Sequence, residues 1–215
     1  MKWAEEGWID YLLPQSYWAI SHSVAGYKEV MGWWNKAFKY LDVNLYSGLG
    51  VYLANDPDGF SWATDTQEFV KQMEYFRTLE AADGVSIYNF NAVKDAYNNT
   101  GSKAANQVRN GAPIAWPTKT VLPEIKNMER ELVDAVTGIN HSAGTLTFNT
   151  QPNAKFYYVY RSNDYLTYSN EEIFKVVGAS EAATISISTN DLDGSYNYCV
   201  RALSGTNYLG PTYVA

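Results

Sequence analysis

The first half of the chain alternates short apolar runs with segments whose apolar residues recur every three to four positions. Residues 9–18, 43–53 and 84–90 have the length and composition of strands. Between the first two runs, residues 27–41 place their large apolar side chains on one face of a helix. Strands that alternate with helices in this way indicate parallel βα units.

A second amphipathic segment follows the predicted turn at residues 55–59. Thr64 and Gln67 have the spacing of a capping box, so we expect a helix to begin there and to continue to Glu80. The predicted inward face of this helix consists of Phe69, Met73, Phe76 and Leu79. After the third apolar run, a polar helical stretch leads to Gly111.

Three such repeats at intervals of roughly 35–40 residues match the repeat of a (β/α)₈ barrel. A complete barrel needs about 250 residues, whereas the pattern changes near residue 130. We therefore expect only the last strands and helices of a TIM-type barrel here, with the earlier strands preceding Met1.

After Glu131 the helical period gives way to strand-like runs separated by turn residues. These runs occupy residues 144–148, 155–161, 174–177, 184–188, 196–203 and 208–214. Such a density of short strands is typical of a β-sandwich. The predicted fold class is thus α/β plus all-β, with a barrel portion at 1–127 and a β-sandwich at 132–215.

Composition narrows the functional classes. The formal net charge is −7, which disfavours nucleic-acid binding, and no apolar run is long enough to span a membrane. The lone Cys199 cannot form an internal disulfide, and its strand-like setting predicts a buried thiol. Asp56 and Asp58 flank a proline turn, and two carboxylates are fewer ligands than Ca²⁺ requires, so we predict no metal site and no cofactor.

In a barrel the active site lies at the carboxyl ends of the strands. The side chains predicted there are Gln15, Ser16, Tyr17, Trp18, Gly50, Tyr52, Tyr88, Asn89 and Asn91. Glycoside hydrolysis normally needs two carboxylates beside the scissile bond, and none of these residues is acidic. The catalytic residues are therefore unknown and are expected outside this chain.

These strand ends instead combine amides with aromatic rings, which respectively hydrogen-bond hydroxyl groups and stack on the C–H faces of sugars. The candidate substrate-binding residues are Gln15, Tyr17, Trp18, Tyr52, Tyr88 and Asn89. Alternatively, the tyrosines fill the interior of the barrel. His22, in the loop beyond the first strand, either lines the cleft or faces solvent.

Several motifs in register resemble a bacterial glycosyl-hydrolase-like family that was formerly classed as a domain of unknown function. They are Pro14-Gln15-Ser16-Tyr17-Trp18, the preceding residues 8–11, Tyr27 with Gly32-Trp33-Trp34, and residues 45–52 and 83–88. The resemblance covers about residues 1–125. It implies a (β/α)-barrel related to glycoside hydrolases, usually in secreted or lipid-anchored bacterial proteins.

Residues 157–162 and 194–202 are similar to the middle and penultimate strands of fibronectin type III domains. Together, the two resemblances imply a fragment of a glycoside hydrolase that acts on a bacterial or plant glycan and supplies substrate subsites. The alternative is a non-catalytic carbohydrate-binding or structural module of a secreted cell-surface protein. A partial barrel would also expose apolar strand edges, so self-association through that surface is expected.

Overall fold

The computed structural model describes residues 1–163, 169 and 172–212. The chain divides into two compact units, Met1–Pro117 and Thr118–Ala215. The first unit mixes helices with one parallel sheet, and the second contains antiparallel sheets.

The first unit, in which every residue is described, has six α-helices, three strands and one 3₁₀ helix. They are α1 (Lys2–Glu5), β1 (Tyr11–Leu12), α2 (Tyr27–Phe38), β2 (Asn44–Leu49), the 3₁₀ helix Val51–Asn55, α3 (Ser61–Thr64), α4 (Glu68–Phe76), β3 (Ala82–Ile87), α5 (Phe90–Tyr97) and α6 (Lys103–Ala115).

The three strands form one sheet in the order β1-β2-β3, and both pairings are parallel. Leu45 is central to the register, because it pairs with Leu12 on one side and with Ala82 on the other. All three carboxyl ends therefore lie along one edge of the sheet. The βα alternation predicted from the periodicity is present, whereas the assignment to a barrel stays a prediction.

The core of this unit forms where the apolar faces of the helices cover the sheet. Helix α2 buries Tyr27, Met31 and Phe38, which lie on one side at helical spacing. Helix α4 buries the predicted Phe69, Met73 and Phe76. These side chains join Leu45 and Leu49 of β2 and the buried Trp62 in one cluster.

Three predicted boundaries in the first unit were wrong. The second strand ends at Leu49 because the chain turns at Gly50 into the 3₁₀ helix, where the Leu53 N–H donates to the Gly50 carbonyl (3.0 Å). Only Tyr11–Leu12 of the first run is strand, although the Pro14 carbonyl still accepts a hydrogen bond from the Gly48 N–H (2.9 Å). The third strand, Ala82–Ile87, ends before residue 90.

The predicted capping box was also wrong. Thr64 ends α3, and its hydroxyl donates to the Phe60 carbonyl (3.1 Å) instead of capping the next helix. Asp65 takes over part of that role, since its Oδ1 accepts the Gln67 N–H (2.9 Å) just before α4. Helix α4 ends at Phe76, short of the predicted Glu80.

The second unit has six strands in its described part: β4 (Asn140–Ser142), β5 (Thr145–Asn149), β6 (Ala154–Ser162), β7 (Ile173–Gly178), β8 (Thr184–Ser188) and β9 (Asn197–Ser204). They form two antiparallel sheets, β4-β5-β8 and β7-β6-β9. Strand β4 was missed, because its three residues, Asn140–Ser142, are polar.

The inward residues of both sheets share one hydrophobic cluster. Leu146 and Phe148 of β5 alternate with exposed or partly exposed neighbours, and they join Tyr157 and Val159 of β6 and Val200 of β9. This alternation is what two packed antiparallel sheets require.

In the predicted run 208–214, Leu209 forms an isolated antiparallel β-bridge with Leu203. Residues 213 and 214 lie outside the described part of the chain.

Residues 118–127 belong to the second compact unit, earlier in the chain than the boundary predicted from the sequence. The Ile125 N–H donates to the Thr206 carbonyl (3.0 Å), and the Leu122 N–H donates to the Tyr158 hydroxyl (3.2 Å).

The predicted burial of Cys199 is confirmed, and that burial raises the pKa of its thiol to about 11. No helix in the described ranges is both long and apolar enough to cross a bilayer.

Candidate functional site

Three tyrosines from three strand ends meet at the carboxyl edge of the parallel sheet. Tyr17 stacks on Tyr88, with ring centroids 5.3 Å apart and planes inclined by 29°. Tyr52 packs edge-on against both, at 6.0 Å from Tyr17 and 5.6 Å from Tyr88. Tyr52 and Tyr88 are 39% and 49% exposed, so their rings are open to solvent. We call Tyr17, Tyr52 and Tyr88 the tyrosine cluster.

Two glycines in and after β2 make room for the cluster. A Cβ on Gly50 would lie 2.7 Å from the Tyr17 Cβ, and one on Gly48 would lie 2.9 Å from the Pro14 carbonyl oxygen. Both distances are too short for carbon in contact with a neighbouring atom. The Gly48-Leu49-Gly50 sequence therefore lets the segment that contains Tyr17 pack directly on β2.

A second group of rings begins at the next residue. The Trp18 ring lies 4.9 Å from the His22 ring, which in turn lies 4.7 Å from Phe60. Trp18 and Phe60 are 45% and 49% exposed. Phe60 has φ = 51°, a conformation that a bulky L-residue adopts rarely. We call Trp18, His22 and Phe60 the tryptophan group.

His22 stays in place through its ring nitrogen as well as through ring packing. Its Nδ1 accepts the N–H groups of Ala25 (3.0 Å) and Val24 (3.3 Å). Because Nδ1 accepts, the neutral ring has its proton on Nε2. His22 is half-buried between Trp18 and Phe60.

Hydrogen bonds from α3 and α4 hold the backbone of the loop that contains Tyr17 and Trp18. The indole Nε1 of Trp62 donates to the Tyr17 carbonyl (3.1 Å), and the Gln72 amide donates to the Trp18 carbonyl (3.1 Å). The buried Glu68 accepts the Ile20 N–H (2.7 Å) and the Gln72 amide (2.8 Å). Buried groups that are bonded in this way fix the backbone before any ligand arrives.

The surroundings of Tyr17 favour the protonated form of its hydroxyl. Burial, together with the neighbouring Tyr88 and Tyr52, raises the pKa of the Tyr17 hydroxyl above its ordinary value. A protonated phenol both donates and accepts hydrogen bonds. Tyr17 therefore presents an apolar ring face and a neutral hydroxyl.

The two predicted amide residues have different settings. Gln15 is exposed just before Tyr17. Asn89 caps α5, because its Oδ1 accepts the Asn91 N–H (3.0 Å). The peptide bond between Tyr88 and Asn89 is cis. The Asn89 amide nitrogen keeps its donor capacity toward a ligand.

The strand ends have aromatic and amide groups suited to binding, and they carry no carboxylate. Residues 14–18, 50–52 and 88–91 contain no Asp or Glu. Within the ranges that the structure describes, no three His, Cys, Asp or Glu side chains gather into a group that could hold a metal ion. This arrangement can position a neutral, hydroxyl-rich molecule.

Sequence reasoning missed two residues of this region. Phe60 follows a turn, and nothing in its local pattern indicates that it faces His22. Glu68 lies on α4 among exposed and apolar positions, where a carboxylate suggests solvent exposure, yet it is 1% exposed. Its side chain is buried because the Ile20 N–H needs an acceptor there.

Comparison with known proteins identifies relatives of the N-terminal segment. Residues 1–64 match the family described as Glycosyl hydrolase-like 10. This matched segment includes Gln15, Tyr17, Trp18 and Tyr52, and it ends before Tyr88.

The individual relatives are also named glycosyl hydrolases. Glycosyl hydrolase YngK of Bacillus subtilis (strain 168) is 38% identical over 82 residues, which are 38% of this chain and 16% of that protein. Glycosyl hydrolase DigH of Escherichia coli (strain K12) is 38% identical over 91 residues, 40% of this chain and 21% of that protein. DigH of E. coli O6:H1 is 30% identical over the same length.

The chain thus spans about a fifth or less of the length of these curated relatives. The resemblance to glycosyl-hydrolase-like proteins that the sequence motifs indicated is confirmed for the N-terminal part of the chain, as a match of residues 1–64 to Glycosyl hydrolase-like 10.

Proposed function

We propose that the carboxyl edge of the parallel sheet binds carbohydrate and supplies substrate subsites of a glycoside hydrolase whose catalytic carboxylates lie outside this chain. The tyrosine cluster is the observation on which this proposal depends most. Three tyrosine rings from three strand ends, two of them well exposed, form an aromatic surface at the edge where barrel enzymes bind substrate.

The chemistry of a sugar fits this surface. The C–H faces of a pyranose are apolar and pack on aromatic rings, while its hydroxyls need donors and acceptors. Trp18 and Tyr88 supply open ring faces, and Gln15 and Asn89 supply amides. The names of YngK and DigH, both glycosyl hydrolases, support the same substrate class.

The proposal extends to the fold and the location of the whole protein. We propose that the parallel sheet is the last part of a TIM-type barrel and that the second unit is a fibronectin III-like sandwich. We also propose a secreted or lipid-anchored parent that acts on a bacterial or plant glycan. The parallel register of β1-β2-β3 and the two antiparallel sheets support the first two points.

Electrophoresis through gels that contain bacterial or plant polysaccharides tests the binding step. The chain should migrate more slowly in gels with a bound glycan, and Tyr88→Ala should restore most of the mobility. Tyr97→Ala is the matched control, because Tyr97 is 91% exposed at the end of α5. Equal retardation of both variants would contradict a site at the strand ends.

A non-catalytic binding module is the second candidate, and the lack of acidic residues at the three strand ends favours it. A reducing-sugar assay separates the two. This chain alone should release no reducing ends from the glycans that it binds. Hydrolysis by the longer protein that contains this segment supports the subsite proposal, whereas binding without hydrolysis by that protein supports the module.

A further inference from the structure

A separate cavity of about 380 Å³ lies between the α3–α4 connection and α6. Its walls include Trp62, Thr64, Asp65, Lys103 and Asn110. This volume is at the lower end of the range of small-ligand sites and suits a ligand the size of one sugar ring. None of the residues predicted from the sequence as substrate-binding lines this cavity.

The walls of the cavity are fixed without a ligand. The buried Gln107 bridges them, because its amide nitrogen donates to the Asp65 carbonyl (2.6 Å) and its amide oxygen accepts the Phe69 N–H (3.2 Å). The Ala104 N–H at the start of α6 donates to Asn55 Oδ1 (3.1 Å). A preformed cavity loses little entropy when a ligand binds.

The polar groups of the lining are varied and largely neutral. Asp65 and Lys103 carry the two formal charges of the lining, with opposite signs, and Asp65 forms its ion pair with Lys71, which lies outside the lining. The Lys103 ammonium uses one donor on the Ala63 carbonyl (3.0 Å) and retains two more. The exposed Asn110 amide makes no side-chain hydrogen bond within the described residues, so both of its functions are free for a ligand.

We propose that this cavity is a second binding site, distinct from the tyrosine cluster, for a small neutral polyhydroxy ligand such as a monosaccharide. Lys103 and Asn110 donate to ligand hydroxyl oxygens, and the hydroxyl of Thr64 and the amide oxygen of Asn110 accept from ligand hydroxyls. The inference does not depend on the proposed function of the strand ends. It adds a site between the α3–α4 connection and α6, where Trp62 links the cavity wall to the Tyr17 carbonyl.

Heteronuclear NMR tests the site directly. The ¹⁵N-labelled chain is titrated with D-glucose, with N-acetyl-D-glucosamine and, as an anion, with inorganic phosphate. We expect at least one sugar to shift the Trp62 indole and Asn110 side-chain signals saturably, and phosphate not to do so. The same titration in Tyr88→Ala should give the same shifts, because the site is independent of the tyrosine cluster.

Two variants locate the ligand. Asn110→Phe fills the cavity from an exposed position, and Lys103→Met removes a donor; each should weaken binding by about tenfold or more. Lys94→Met, on the exposed face of α5, should leave the affinity unchanged. No saturable shift with either sugar, saturation by phosphate instead, loss of the shifts in Tyr88→Ala, or unchanged affinity in Asn110→Phe would each overturn the proposal.

Discussion

The Tyr17 and Tyr88 rings, from the ends of the first and third strands, stack at 5.3 Å across the carboxyl edge of the sheet. The close approach of Tyr17 to Gly50 brings its ring to this position. The geometry of the candidate site therefore depends on the absence of a side chain at Gly50.

Gly50→Ala should displace Tyr17, because the new Cβ would lie 2.7 Å from the Tyr17 Cβ. We expect a loss of about 1–3 kcal/mol in the free energy of unfolding and weaker glycan binding. Urea denaturation and gel retardation measure the two effects. Gly178→Ala is the control, because nothing lies within 4 Å of a Cβ there. A Gly50→Ala protein with unaltered stability and binding would contradict this packing.

The second prediction concerns Glu68, the buried acceptor beneath the Tyr17–Trp18 loop. Glu68→Leu leaves the Ile20 N–H without its 2.7 Å partner, which should cost about 1–3 kcal/mol of unfolding free energy. Glu74→Leu, on the exposed face of the same helix, should change stability by less than about 0.5 kcal/mol.

Tryptophan fluorescence is the appropriate probe for both variants. All seven tryptophans lie at or before Trp116, so their fluorescence follows the unfolding of the first unit alone. If Glu68→Leu and Glu74→Leu unfold at the same urea concentration, the assigned role of Glu68 is wrong.

Several features of the first unit could be predicted from the sequence. The three strand positions and the inward Phe69, Met73 and Phe76 followed from periodicity alone, since burial imposes that spacing. The placement of Tyr17, Tyr52 and Tyr88 at one edge followed from parallel strands. Each of these inferences uses only the period of the chain and the direction of its strands.

What the sequence missed depends on contacts between distant segments. Phe60 meets His22 only because the turn after the 3₁₀ helix returns toward the first loop. Thr64 and Gln67 have capping-box spacing, but the Thr64 hydroxyl bonds back to Phe60. Glu68 is buried because a backbone N–H far away in sequence requires an acceptor. Local patterns contain no information about such partners.

The third prediction concerns the pH dependence of the second unit. Burial would raise the pKa of Asp191, but hydrogen bonds from the Ser195 N–H (2.9 Å), the Tyr198 hydroxyl (3.1 Å) and the Tyr196 N–H (3.3 Å) hold it below its ordinary value of 3.8. A depressed folded-state pKa stabilises the fold above pH 3.8, and this contribution is lost as the pH falls through the folded-state pKa.

Asp191→Asn should therefore lower the stability of the second unit at pH 6 and make it less sensitive to acid. Urea unfolding followed by NMR signals of β9 between pH 6 and pH 2.5 measures this effect. Asp134→Asn, at an exposed position, should leave the pH profile unchanged. An Asp191→Asn profile that overlays the original would show that these bonds contribute nothing.

The fourth prediction concerns association of the chain. Trp3 and Trp8, which precede β1, and Tyr11, its first residue, are exposed. Strand β1 has β2 as its only neighbour among the described strands. An apolar strand edge of this kind favours pairing with another copy. Light scattering should give a mass above 24.1 kDa that falls toward the monomer in Trp3→Glu. Tyr97→Glu should leave the mass unchanged, and a monomeric original chain would contradict the prediction.

Tryptophan fluorescence, titrated with a panel of bacterial and plant oligosaccharides, shows whether the strand ends bind carbohydrate. We expect a saturable change in emission that is lost in Trp18→Ala. Trp33→Ala should retain it, since Trp33 is similarly exposed but lies on α2. Saturable binding that survives in Trp18→Ala, or no response to any glycan, would contradict carbohydrate binding at the strand ends.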